Sequence, residues 1–200
     1  MTIQKTCSMP RPMNLTTPGA ASAKAPLKPL AKGTPAPENK TRAAHHRDSF
    51  ESAKARPPAP TVHTTSNGST VVKLGKGNNV ATVTQTRDGG LRVKSDGHTV
   101  TLSARQARKA IIQAGDGHDK VTVSAKVTRG LTLDGGKGND TLVGGKGNDT
   151  LVGGKGNDIL KGRGGKNLLI DGPGNDRIHV NARRDRIAPG SGKDIYYVSL

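Results

Sequence analysis

The sequence repeats in nines. Gly-Gly-Lys-Gly-Asn-Asp-Thr-Leu-Val starts at Gly135, recurs unchanged at Gly144, and returns at Gly153 as Gly-Gly-Lys-Gly-Asn-Asp-Ile-Leu-Lys. So short a period leaves little choice of architecture. One unit is too small to bury an apolar face by itself, so successive units must stack into a solenoid. The first six residues of each unit suit a turn, because repeated glycine lets the backbone curl tightly and direct its carbonyls inward. The last three suit a short strand, with position eight facing inward and positions seven and nine outward.

The turn also carries the chemistry. Position six supplies a carboxylate at Asp140, Asp149 and Asp158. A donor set made of backbone carbonyls and carboxylates fits a hard cation with loose coordination geometry, such as Ca²⁺. Zinc would call for Cys or His at fixed spacing, and neither recurs in the units. Stacked carboxylates about one strand spacing apart, roughly 4.8 Å, would repel by about 1–3 kcal/mol per pair. A divalent cation between them turns that repulsion into attraction, so metal binding and folding are expected to be linked.

The register continues beyond the regular units. Position eight reads Leu142, Leu151, Leu160, Leu169, Ile178, Ile187 and Tyr196, and position six reads Asp140, Asp149, Asp158, Asn167, Asp176, Asp185 and Asp194. Asn167 takes the place of an Asp, the unit at 180–188 has lost its glycines, and the unit at 189–197 keeps Gly190, Gly192 and Asp194. The array resembles the RTX (repeats-in-toxin) calcium-binding nonapeptide G-G-x-G-x-D-x-U-x, where U is a large apolar residue. The resemblance implies an all-β fold, a parallel β-roll in which two nonapeptides make one coil and ions lie between like turns of successive coils. It stacks Asp140, Asp158, Asp176 and Asp194 on one edge, and Asp149, Asn167 and Asp185 on the other. Calcium is expected mainly on the first edge, since the second is interrupted at Asn167. The implied metal ligands come from the turns: Gly135, Lys137, Gly138 and Asp140; Gly144, Lys146, Gly147 and Asp149; Gly153, Lys155, Gly156 and Asp158; Gly172, Gly174 and Asp176; and Asp194. Lys at position three departs from the neutral or acidic residue often found there in the family, but a carbonyl does not depend on its side chain.

Composition agrees with a thin core. Only 31% of the residues are hydrophobic and 2% aromatic, which excludes a large globular interior but not a solenoid with one narrow apolar column. The net charge of +17 is spread unevenly: residues 1–60 carry +7, 61–131 carry +7 and 132–200 carry +3. The basic excess outside the repeats favours an acidic partner, such as an acidic macromolecule or an anionic membrane surface. Cys7 is the only cysteine, so no internal disulfide forms.

Three regions are expected. Residues 1–60, rich in Pro, Ala, Ser, Thr and Lys, read as a disordered basic tail. Its acid-poor start resembles the uncleaved export signal of bacterial type III effectors, against the alternative of a plain solvated tail; a short helix is conceivable near 41–55. Residues 61–114 read as a small β-rich lead-in that caps the open end of the roll. Within it, strands at 71–74, 80–86, 91–94 and 99–102 suggest an antiparallel meander, and Ser103–Ala114 suggests one short helix capped by Ser103. Gly75–Asn79 looks like a stray half-repeat and is expected to be a plain turn. Residues 115–200 read as the roll, opened by a further turn at Gly115–Asp119 three residues out of phase, with Asp119 and Asp134 as outlying candidate ligands.

No catalytic constellation is present: there is no H-E-x-x-H, no G-x-S-x-G and no G-x-x-x-x-G-K-[ST]. With so few aromatics there is no base-stacking platform and no specific nucleic-acid module. The N-terminus lacks the apolar core of a Sec signal peptide, and no run reaches the ~18 apolar residues of a membrane span. The sequence therefore reads as a non-enzymatic, secreted calcium-binding protein. Delivery to a host cell is one form that secretion could take. The alternative function is a secreted effector or adhesion module that binds an acidic partner (anionic lipid, polysaccharide or nucleic acid) through its basic regions while calcium is only structural. Export by a type I or a type III route stays open.

Overall fold

The computed structural model describes residues 58–200. The tail expected over 1–60 and the helix near 41–55 lie outside these residues, apart from 58–60. The described chain is all-β: β1 (Thr61–Thr64), β2 (Thr70–Lys76), β3 (Val80–Gln85), β4 (Leu91–Ser95), β5 (His98–Leu102), β6 (Ala110–Asp116), β7 (Lys120–Val123), β8 (Thr132–Lys137), β9 (Thr141–Val143), β10 (Thr150–Lys155), β11 (Ile159–Lys161), β12 (Leu168–Ile170), β13 (Arg177–Asn181), β14 (Arg186–Ala188) and β15 (Ile195–Ser199).

The strands alternate between two sheets. One runs β1-β2-β6-β8-β10-β12-β14 and the other β15-β13-β11-β9-β7-β3-β4-β5. From β2 onward each coil adds one strand to each sheet, and neighbouring coils pair in parallel. The result is a parallel β-roll of five complete coils, with β14 and β15 starting a sixth. Register follows the repeat: Leu151 pairs with Leu133 and Leu169, and Leu160 with Leu142 and Ile178. The eighteen-residue spacing implied by the repeat is therefore the spacing between stacked strands.

The core is one column running through the roll. Position eight is fully buried at Leu142, Leu151, Leu160, Leu169 and Ile178, while its flanking residues point outward, apart from Val143, which is also buried. Burial declines at the C-terminal end, where Ile187 is half-buried and Tyr196 is 37% exposed. No further coil covers them in the described chain.

The N-terminal end is closed by antiparallel pairing. β1 lies along β2, and β3-β4-β5 form an antiparallel meander at the margin of the second sheet. The strand expected at 71–74 does not join that meander but is part of β2, in the other sheet and parallel to β6. Leu91, Val93, Leu102 and Ala107 from this part join the same core as the coil leucines. Parallel winding begins at β2, so Gly75–Asn79 is the turn of the first coil, stacked on Gly115–Asp119, rather than an isolated turn.

The helix expected at Ser103–Ala114 needs correction. Only Gln106–Lys109 is helical, as a single 3-10 turn. Its N-cap is Arg105, without a side-chain cap, and not the expected Ser103. Ser103 closes the bend before it, its Oγ accepting the Gln106 N–H (3.3 Å) while Gln106 Oε1 accepts the Ser103 N–H (3.0 Å). The remainder is β6. Ala110, Ile112 and Ala114 alternate inward, and the backbone pairs with β2 on one side and β8 on the other. Those two ladders satisfy more backbone than a short, poorly buried helix could, and they override local propensity.

Candidate metal centre

Along one edge of the roll, position-six side chains fold back into the turn. Asn79, Asp119, Asp140, Asp158 and Asp176 are all buried there. They form a relay between coils. Oδ1 of Asp119 accepts the Asn79 N–H (2.6 Å), Oδ1 of Asp140 the Asp119 N–H (2.7 Å), and Oδ1 of Asp158 the Asp140 N–H (2.7 Å). Asp176 and Asp194 continue it, accepting from Asp158 (2.6 Å) and Asp176 (3.0 Å).

That relay uses one oxygen of each carboxylate. The other, Oδ2, is buried without a hydrogen-bond partner in Asp119, Asp140, Asp158 and Asp176. Such an oxygen is costly unless something positive meets it. Burial also shows in the acidities, on both edges, since it raises Asp149 as well. Burial first, then neighbouring carboxylates, push Asp140 up to about 6 and Asp158 up to about 7, against backbone hydrogen bonds that pull the other way. Burial also raises Asp119 and Asp176.

The orphan oxygens face a space that glycine keeps open. A Cβ at Gly135 would overlap Asp140 Oδ2 and the Gly153 carbonyl, and a Cβ at Gly153 would overlap Asp158 Oδ2 and the Asp171 carbonyl. Neither glycine has a left-handed backbone, so it is the space, not φ, that excludes a side chain. By contrast, Gly154 and Gly156 turn the chain at φ +106° and +124°, which suits glycine alone. Each cradle thus brings together a carboxylate oxygen and a carbonyl oxygen of the next coil, all hard donors suited to Ca²⁺.

The opposite edge is different. Asp149 is as buried as Asp140, yet its Oδ2 accepts the Gly145 N–H (2.7 Å) and its Oδ1 the Leu131 N–H (2.8 Å). One coil on, Asn167 fills the Gly162 cradle with its amide nitrogen, which donates to Gly164 O and Asp185 Oδ1. Gly144, Lys146, Gly147 and Asp149 therefore form a turn whose carboxylate is already satisfied.

Of the other sequence-predicted residues, Lys137 and Lys155 sit on the first edge with exposed side chains, and their carbonyls accept the Gly117 and Gly138 N–H groups (both 2.8 Å). Gly138, Gly156, Gly172 and Gly174 shape the same row of turns. Asp134 occupies an outward position on β8, its Oδ2 accepting from Gln113 (3.4 Å), outside the relay. Asp176 and Asp194 meet a residue that the motif reading passed over. Asp171, fully buried, offers an oxygen within 4.8 Å of theirs, and its Oδ2 accepts from the Tyr196 hydroxyl (3.0 Å). Burial and that hydrogen bond push Tyr196 up to about 12. An acid where the regular units begin with glycine was the available signal. Position five was missed too: Asn78, Asn139, Asn157 and Asn175 each accept, through Oδ1, the N–H of the residue stacked one coil on. His118 takes the same place between Asn78 and Asn139, its Nδ1 accepting the Asn139 N–H (2.8 Å).

Comparison with known proteins agrees with this geometry. Residues 132–160 and 161–196 match the family model of the RTX calcium-binding nonapeptide repeat, in four copies. Residues 132–196 are RTX repeats. No curated protein and no solved structure matches the chain. RTX repeats bind Ca²⁺. Within this array the first edge holds three carboxylate oxygens without a hydrogen-bond partner, on Asp140, Asp158 and Asp176, whereas the similar cradle at Gly144 faces an Asp149 Oδ2 that already accepts the Gly145 N–H. Among the described residues, no helix is long and apolar enough to cross a membrane.

Proposed function

We propose that this is a non-enzymatic, secreted calcium-binding protein whose β-roll is folded by Ca²⁺ held along its first edge. The observation that carries this reading is the row of buried, unpartnered Oδ2 atoms on Asp119, Asp140, Asp158 and Asp176. Left bare, they disfavour the coiled state at neutral pH; a bound Ca²⁺ supplies positive charge where they converge. The chain contributes the rest. The Oδ1 relay fixes each carboxylate, glycine at position one keeps the cradle open, and the Asn ladder holds the turns in register. Where free calcium is scarce, as inside a cell, the roll stays loose; in millimolar calcium it closes. That is the property an exported chain needs.

Circular dichroism of the full chain across a calcium titration tests this. Strand signal should rise cooperatively between chelator and millimolar Ca²⁺, and Mg²⁺ should not substitute, because it demands tighter octahedral geometry. An unchanged spectrum would contradict the reading.

A second reading is favoured by one surface feature. Lys73, Lys76, Lys137 and Lys155 line a groove along the first sheet, with two carboxylates, Asp116 and Asp134, among them. An acidic partner fits it, although Lys137 is already paired with Asp116 (3.2 Å). Retention on anionic vesicles that falls steeply with salt would support this adhesion role, and salt-insensitive retention would count against it.

A further inference from the structure

The roll's C-terminal end holds the least regular of the edge-one turns. Position one of stacked units runs Gly135, Gly153, Asp171 and Pro189. At the first two, an absent side chain leaves the cradle open. At the third, a carboxylate enters it.

Asp171 is fully buried and lies beside Asp176 and Asp194, with one oxygen from each of the three within 4.8 Å of the others. Three carboxylates at that separation repel strongly without a cation. Two observations beyond the clustering point to a ligand. Asp176 Oδ2, in a residue only 1% exposed, has no hydrogen-bond partner, while its Oδ1 is spent on the Asp158 N–H. The cluster is also held from outside: Tyr196 donates its hydroxyl to Asp171 Oδ2 (3.0 Å), and Asp171 Oδ1 accepts the Gly172 N–H (3.1 Å). The carboxylate is thereby oriented and still has lone pairs free on both oxygens.

We infer that Asp171, Asp176 and Asp194 form the highest-affinity Ca²⁺ site of the first-edge row, at the C-terminal end of the roll, with Asp171 as a ligand from outside the repeat pattern and Tyr196 as its positioning residue. This rests on the calcium reading above and goes further, because it ranks the sites. The cradles at Gly135 and Gly153 each have one orphan carboxylate oxygen and a carbonyl; this one has three carboxylates. Affinity for Ca²⁺ rises with the charge on its ligands, so the end site fills first on titration. Its Asp171 carbonyl also faces the Gly153 cradle, so filling the end orders the next site inward.

The chain provides its own reporter. It has two tyrosines, Tyr196 and Tyr197, and no tryptophan. Tb³⁺, a luminescent stand-in for Ca²⁺, should show tyrosine-sensitised emission on the full chain at the first equivalents added, and Ca²⁺ should displace it. Y196F should remove most of that emission while calorimetry still detects the ion; Y197F, whose ring stacks on His179, should retain it. D171G, which restores the repeat's own residue, should weaken the sensitised site tenfold or more while circular dichroism still shows a roll in excess Ca²⁺. D171N, which keeps an acceptor for Tyr196 but drops the charge, should weaken it similarly and covers the case in which D171G fails to fold. Binding within twofold of wild type in D171N would overturn the proposal and leave Asp171 as a hydrogen-bond partner only. So would calcium-dependent folding of the wild type without sensitised Tb³⁺. If the wild type took up no Ca²⁺ by calorimetry, the broader calcium reading would fall as well, which separates the two failures.

Discussion

Asp158 shows how one residue serves both fold and ion. Its Oδ1 is a structural acceptor for the Asp140 N–H, and its Oδ2 is buried with nothing to meet it. Asp158→Asn keeps the first role and removes the charge that the second depends on. Calorimetry should show calcium affinity falling about tenfold or more, as expected when one of few charged ligands is lost, with no loss of stability in the metal-free state. Asp149→Asn makes the contrast, because the Asp149 Oδ2 already accepts the Gly145 N–H; its calcium titration should stay within about twofold of wild type. Gly153→Ala tests the cradle directly. Its Cβ would overlap Asp158 Oδ2 and the Asp171 carbonyl. Urea unfolding in saturating Ca²⁺ should show a loss of about 1–3 kcal/mol.

At the scale of the element, the nonapeptides at Gly135 and Gly144 make the sharpest comparison, since they are identical. The strand ends behave alike: Leu142 and Leu151 are both fully buried. The turns do not. Gly136 and Gly138 are left-handed and Gly145 and Gly147 are not, and Asp140 keeps an orphan oxygen where Asp149 has none. The difference comes from what each turn stacks on. The first lies between the regular turns at Gly115 and Gly153. The second lies between the longer Ser124–Leu131 connection and the degenerate turn at Arg163, itself left-handed at φ 64°. The repeat therefore made strand, column and period legible, while the state of each carboxylate depended on neighbours eighteen or more residues away. The 103–114 region was illegible for a related reason. Its Ala and Arg favour a helix locally, but the ladders that claim Ala110–Asp116 come from β2 and β8. The Asn ladder was hidden because position five is a free position in the motif. The apolar column makes its own prediction. Leu151 sits between Leu133 and Leu169 in the sheet, with no exposure. Leu151→Ala should cost about 2–5 kcal/mol of calcium-saturated stability, read by denaturant unfolding.

For the whole molecule, protons and calcium compete for the same oxygens. Asp140 and Asp158 are raised from 3.8 to about 6 and about 7. A carboxyl raised in the folded state holds its proton more tightly there than in the unfolded chain. Its contribution to stability is present below about 4 and is lost as pH rises through about 6 to 7. The metal-free roll should therefore melt at a higher temperature near pH 5 than near pH 7.5, and added Ca²⁺ should raise the neutral value more than the acidic one. Under the proposed function, ions lie along one edge and not the other. A crystal of the full chain grown with Ca²⁺, measured for anomalous scattering, locates them without inference. Difference peaks should lie between successive turns at Asp140, Asp158 and Asp176, and be missing along Asp149, Asn167 and Asp185. A map with no peak on the first edge, or equal peaks on both, would contradict the account.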